Sequence, residues 1–132
     1  MTARGATLFS SGEKIISLHP NITPLVGAIG RFKFSIESGV STCDPLDQRI
    51  IGAISDRLLH DEVADLVDDK DRQKFLDVSL GTPDETNCAS TILRFKNGNV
   101  VKDTYKFSYH TEDYAQRSLV AVEGTTELIG IH

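Results

Sequence analysis

From Arg31 onward, apolar and polar residues alternate with a period of two. Phe32, Phe34 and Ile36 share one face, and Arg31, Lys33 and Ser35 the other. This spacing predicts a half-buried strand. Gly39 ends the run, and Val40 to Cys43 predicts a second short strand. The period then lengthens to that of a helix. Asp44 and Pro45 suit an N-cap and a first helical position, Leu46, Ile50 and Ile51 supply an inward stripe, and Gly52 a stop. Ser55-Asp56 predicts a capped turn carrying Leu58 and Leu59. Asp61-Glu62 opens a further helical segment, with Val63, Leu66 and Val67 at helical spacing. The longest helix is expected beyond Asp68-Asp69, running through Phe75, Leu76 and Leu80 to Gly81.

The alternation returns after a polar loop, Thr82 to Thr86. Asn87 to Phe95 and Val100 to Tyr109 read as strands joined by Lys96-Asn97-Gly98-Asn99, and Asn-Gly between apolar alternations is a strong hairpin signal. In the second arm Val101, Tyr105, Phe107 and Tyr109 share a face that Asp103 interrupts. A loop from His110 to Gln116 then leads to a last strand, Ser118 to Val122. Strands at both ends with helices between them predict an α+β fold around an antiparallel sheet. Residues 1–30, with Ile15-Ile16 behind Ser10-Ser11-Gly12 and prolines at 20 and 24, read as an N-terminal extension or linker.

Composition narrows the functional classes. A chain of 132 residues with 39% hydrophobic and 25% charged residues fits one globular domain, and no apolar run is long enough to span a membrane. Residues 1–12 lack the apolar core of a secretory signal, so a nuclear or cytoplasmic setting is expected. The net charge of −5 argues against direct contact with a nucleic-acid backbone. Cys43 and Cys88 show no CxxC or Cys/His spacing and are expected to be reduced, buried small hydrophobes.

His60 stands alone beside Asp61 and reads as a solvated or capping residue rather than a haem ligand. The acidic run Asp61, Asp65, Asp68, Asp69 and Asp71 lacks the spacing, turn glycine and terminal glutamate of a calcium loop, and reads as helix caps and a solvated face. No nucleophile and base are paired by sequence position, so neither an enzyme nor a cofactor or metal site is expected.

Four segments in this order carry a family resemblance: FKFSIESGVSTCDP, DQRIIGA, LVDDKDRQKFLD, and the stretch from Cys88 to Leu128 with its Arg-Phe-Lys-Asn-Gly hairpin. Together they resemble a PAS domain over residues 31–128, preceded by the extension at 1–30 and followed by a tail at 129–132. CDPLDQRIIGAI, RFKNG and YKFSYH are most similar to the second PAS repeat of animal basic helix-loop-helix PAS factors and Period-type clock proteins. PLVGAIGR is similar to the end of a first repeat, which would make residues 1–30 an inter-repeat segment; alternatively FSSGEKIISLHP forms its own hairpin. Two positions depart from the family pattern: Ala53 stands in place of the usual aromatic after Gly52, and Val67 in place of the usual histidine before the acidic pair.

The resemblance implies a five-stranded antiparallel sheet with short helices on one face. It also implies a protein-interaction domain of an intracellular transcriptional regulator, forming homo- or heterodimers with itself or another PAS protein. The outer sheet face, with Ser90, Arg94, Lys102, Thr104 and Lys106, is the expected interaction surface. The alternative is a small-molecule sensor with an internal apolar cavity controlling partner binding; an input domain of a signalling kinase is a third reading. Phe34, Ile36, Ile50, Leu58, Val63, Phe75, Ile92, Val101, Phe107 and Val120 would form a filled core or line that cavity.

Overall fold

The computed structural model describes residues 23–80, 87–113 and 116–132. The first 22 residues, the expected C-cap Gly81 and the expected polar loop, Thr82 to Thr86, lie outside them. The strands are β1 (Ile29–Ser35), β2 (Val40–Cys43), β3 (Arg57–Leu59), β4 (Cys88–Arg94), β5 (Asn99–Asp113) and β6 (Gln116–Ile131), and the helices are α1 (Pro45–Ile51), α2 (His60–Leu66) and α3 (Arg72–Ser79). They form an α+β fold with one open antiparallel sheet in the order β3-β2-β1-β6-β5-β4.

The sheet has six strands rather than five. The segment expected to be a capped turn, Leu58-Leu59, is part of β3 and pairs Val40 with Leu59 and Thr42 with Arg57. It covers the free edge of β2, whose backbone groups would otherwise lack strand partners. The last two strands are also longer than their hydrophobicity suggests. Most of the expected loop at 110–116 is ladder, with His110 opposite Ser118 and Asp113 opposite Gln116. Residues 129–131 belong to β6. His132 donates its backbone N–H to the Gly98 carbonyl at 2.7 Å.

Helix α1 begins as its residues dictate. The Asp44 carboxylate accepts from the Asp47 backbone N–H at 2.8 Å, Pro45 occupies the first turn, and Gly52 closes the helix at φ 77°. The β4–β5 turn places Gly98 at φ 97°, and it also holds the helix end: the side-chain amides of Asn97 and Asn99 donate to the Ile50 carbonyl at 3.0 and 2.8 Å. Helix α2 opens with the Glu62 carboxylate accepting from the Leu59 N–H at 2.8 Å. Helix α3 is shorter than expected, because Leu80 already leaves helical geometry.

All three helices lie on one face of the sheet, and two apolar clusters fill the space. One gathers Ile50, Ile51, Ala64, Val67, Phe75, Leu93, Phe95, Val101 and Leu128; the other gathers Phe34, Tyr105, Phe107 and Val122. Three residues expected inside are not. Ile36, Ile92 and Val120 are 40%, 51% and 48% exposed. Ile92 shares its strand parity with the outward residues Cys88 and Ser90, so Leu93 is the buried residue of β4, and Ile36 follows the last residue of β1 in a turn.

Candidate functional site

The register of the sheet builds the site row by row. Ala28, Leu128, Val101 and Leu93 make one apolar row across the inner face, and Phe34, Val122 and Phe107 make another. Between them lies a row of different chemistry: Gly30 on β1 faces Thr126 on β6, Thr126 faces Asp103 on β5, and Asp103 faces Thr91 on β4. Gly30 is what lets α1 descend onto this row. A Cβ there would stand 2.4 Å from the Asp47 Cα, so only glycine admits the helix. Asp47 is thereby pressed into the core beside Thr126.

The result is a buried acid pair. Asp47 and Asp103 are 1% and 4% exposed, and Thr126, 2% exposed, hydrogen-bonds to both. A threonine hydroxyl carries one hydrogen and can donate to only one carboxylate at a time, so the other carboxyl satisfies the bridge only by bringing its own proton. The Tyr105 hydroxyl donates to Asp103 Oδ2 at 2.9 Å. The Oδ1 atoms of Asp47 and Asp103 are buried and have no hydrogen-bond partner among the described residues.

Burial raises the Asp47 carboxyl to about 7, opposed by the Thr126 bond and helped by the negative charges of Asp103 and Asp44. It raises Asp103 to about 6 against the bonds from Tyr105 and Thr126. Tyr105 is pushed well above its ordinary value by burial and by the neighbouring Asp103.

The pair opens onto an internal cavity of about 40 Å³. Of the residues expected to line a cavity, Phe34, Leu58, Val63 and Phe75 do so, whereas Ile50, Val101 and Phe107 are core or near-core residues away from it. Phe32, Tyr105 and Phe95 complete an aromatic wall, and Cys43, Ser79 and Ser41 add polar groups. The cavity is mostly apolar, as expected, but Asp47, Asp103 and Thr126 stand in its lining.

His60 is not a solvated cap. Its ring lies 5.0 Å from those of Phe34 and Phe75, and its Nε2 is 3.1 Å from the Ser79 hydroxyl, with burial holding the imidazole toward its neutral form against the pull of Asp61. The Cys43 thiol is pushed up to about 12, first by burial and then by Asp47, Asp56 and Asp44, which leaves it protonated and unreactive. Cys88 is exposed rather than buried.

The comparisons with known proteins speak to this architecture. No protein-family profile and no curated sequence relative matches the chain. A structure solved in work on adaptor-dependent degradation of a cell-cycle regulator superposes with a TM-score of 0.54 at 13% identity, over 76% of this chain and 82% of that one. An uncharacterised protein from Mycobacterium tuberculosis gives 0.51 at 13% identity, over 86% of this chain and 37% of that one. A sensory box histidine kinase/response regulator from Burkholderia thailandensis E264 gives 0.48 at 13% identity, over 76% of each chain. The two scores above 0.5 concern the fold alone.

The fold is PAS-like. Leaving the extra edge strand β3 aside, the five antiparallel strands with the helices on one face match the arrangement expected from the sequence motifs. The narrower likeness to the second repeat of animal transcriptional regulators rests on those motifs and has no structural counterpart here.

The outer face of the PAS-like sheet is polar. Ser90, Lys102, Thr104 and Lys106 are exposed on it. Its rows read Lys33–Glu123–Lys106–Cys88, Arg31–Thr125–Thr104–Ser90 and Ile29–Glu127–Lys102–Ile92. Arg94 is engaged elsewhere: its guanidinium donates to both Asp71 carboxylate oxygens at 3.0 and 2.9 Å, and its backbone N–H donates to Oδ2 at 2.8 Å. Asp71, expected on a solvated face, is 5% exposed, and the Arg94 guanidinium holds its carboxyl down at about 2. The pair clamps the start of α3 to β4. Among the described residues no helix is long and apolar enough to cross a membrane.

Proposed function

We propose that this chain is a sensory binding domain, not a catalyst, whose internal pocket takes a small polar ligand. The observation that carries the reading is that Asp47 and Asp103, two residues lining a cavity, each hold a buried Oδ1 atom with no hydrogen-bond partner among the described residues. A buried polar group without a partner costs about 1–3 kcal/mol, and a ligand that supplies donors recovers that cost on binding. Asp47 stands on α1, while Asp103 and Thr126 stand on β5 and β6, so the ligand would bridge the helical layer and the sheet. Occupancy would then change how firmly α1 sits on β1, which is the differential contact a population shift requires. Native mass spectrometry of gently purified protein, followed by amide-resolved NMR titration with a library of small polar molecules, tests this. We expect a bound small molecule, or amide shifts centred on residues 47, 103 and 126. A chain that arrives bare and shows no shift in that region sinks the reading.

A second reading, association of PAS domains in an intracellular transcriptional regulator, is favoured by a separate observation. The outer sheet face carries both charge signs, with Arg31, Lys33, Lys102 and Lys106 interleaved with Glu123 and Glu127, and the exposed Ile29 and Ile92 end one row. Such a face complements a second copy related by a two-fold axis, with apolar contact at the row ends and charge pairs between. Sedimentation across a wide concentration range distinguishes it. Strict monomer behaviour at high concentration counts against association.

A further inference from the structure

We propose that the pocket selects a small primary ammonium ion, held by Asp47, Asp103 and Thr126 under the rings of Phe32 and Tyr105. The inference rests on the sensory reading above and names its ligand class.

The chemistry of the lining excludes the main alternatives in turn. An anion would meet two acidic side chains, with Asp44 ahead of the same helix and no lysine or arginine among the lining residues. A bare divalent cation needs six or more oxygen ligands or a group of three strong side-chain ligands, and no such group occurs among the described residues. A neutral hydroxyl-rich molecule would bring about as many acceptors as donors, and the open atoms of the site are carboxyl oxygens.

An ammonium head fits each feature. It is a compact charge with three donors and no acceptor. Two of its hydrogens answer the open Oδ1 atoms, and the third reaches the Thr126 oxygen. Its carbon then turns toward Phe32 and Tyr105, whose rings lie 5.7 Å apart edge to face, so that aromatic surface borders a positive group. Charge balances as well, with one carboxylate matching the ammonium while the second keeps its proton and donates through the threonine bridge. Size sets the limit. A cavity of 40 Å³ accommodates a head of roughly one to three non-hydrogen atoms.

The test uses the whole chain with methylammonium chloride as probe. Sodium chloride at equal ionic strength and tetramethylammonium chloride, which has no N–H donor, are the controls. Calorimetric titration and melting temperature are read together at pH 6.5, between the values of the two carboxyls. We expect a saturable heat and a rising melting temperature with methylammonium alone. Asp103→Asn and Asp47→Asn should each weaken binding at least tenfold, while Ser90→Ala on the outer face leaves it unchanged. The melting temperature of each variant without probe separates loss of binding from loss of fold.

Lowering the pH to 5 should weaken binding tenfold or more, since both carboxyls take up protons. The other titratable groups facing the pair, Cys43 on β2, His60 on α2 and Tyr105 on β5, supply no new negative charge in that range. Equal responses to all three salts, or methylammonium binding that survives the Asp47→Asn/Asp103→Asn double variant, overturns the proposal. Capture of a neutral molecule with no methylammonium response overturns the ligand class and leaves the sensory reading standing. If no ligand of either kind binds, both fall.

Discussion

Asp71 and the pair Asp47 and Asp103 are buried carboxyl groups of one small core, and their surroundings drive them in opposite directions. At the edge of the sheet Asp71 receives three charge-assisted hydrogen bonds from Arg94, and its carboxyl falls to about 2. In the middle of the sheet Asp47 and Asp103 face no cation, each keeps an oxygen without a partner, and their carboxyls rise to about 7 and about 6. The first arrangement is complete and joins a helix to a strand. The second is incomplete, and what it lacks is a proton or a donor from outside. Burial alone therefore does not mark a functional acid. What sets the candidate pair apart is burial without a matched partner beside a cavity.

The largest expected effect is on the pH dependence of stability. Asp47 and Asp103 have folded values above their unfolded ones, so their contribution is full below about 3.8 and is lost as pH rises toward 7. The move of Asp47 from 3.8 to about 7 sets an upper figure of roughly 4 kcal/mol. Urea unfolding at pH 5 and pH 8 should show the protein more stable at pH 5, and Asp47→Asn should remove most of the difference. A flat profile between these pH values would mean that burial does not hold the Asp47 and Asp103 carboxyls protonated.

Gly30→Ala attacks the same side by geometry. Its Cβ collides with the backbone of Asp47, so α1 must lift from β1 at an expected cost of about 3 kcal/mol, read as a lower denaturation midpoint. Asp71→Asn attacks the other side. Its sign is reversed: the clamp contributes above pH 3.8 and is lost as pH falls toward 2. The variant should melt roughly 5 °C lower at pH 7 and show a shallower loss of stability between pH 4 and pH 2, followed by circular dichroism. The smallest effect belongs to the outer face, where Ile92→Thr should change stability by less than about 0.5 kcal/mol in the same urea experiment.

Local signals in the sequence found the elements they encode. Asp44-Pro45 and Gly52 bound α1, and Asn97-Gly98 closes the β4–β5 hairpin, because capping and turn chemistry act over a few residues. Features set by long-range pairing were harder to read. Strand β3 exists because β2 has an open edge, and three residues carry too little alternation to announce it. The parity of β4 was legible from Ser90: placing Ser90 outward also places Ile92 outward, and only the hydrophobicity of Ile92 argued otherwise. The site left one visible trace in Asp103, a charge on an otherwise apolar face. Its partners Asp47 and Thr126 come from elements far apart in the chain, and Gly30 gives no hint in sequence that a helix will press on it. Asp71 and Arg94, 23 residues apart, were hidden for the same reason.

The pairing of β1 with β6, which sets Ile29 opposite Glu127, has a consequence for the chain as it is made. During synthesis β1, β2 and α1 emerge well before β6, the central strand that joins them to β5. Until then Gly30 has no Thr126 beside it and Asp47 has no acid to face. The two halves of the pocket meet only in that closing step, so the site itself reports that the domain has been assembled.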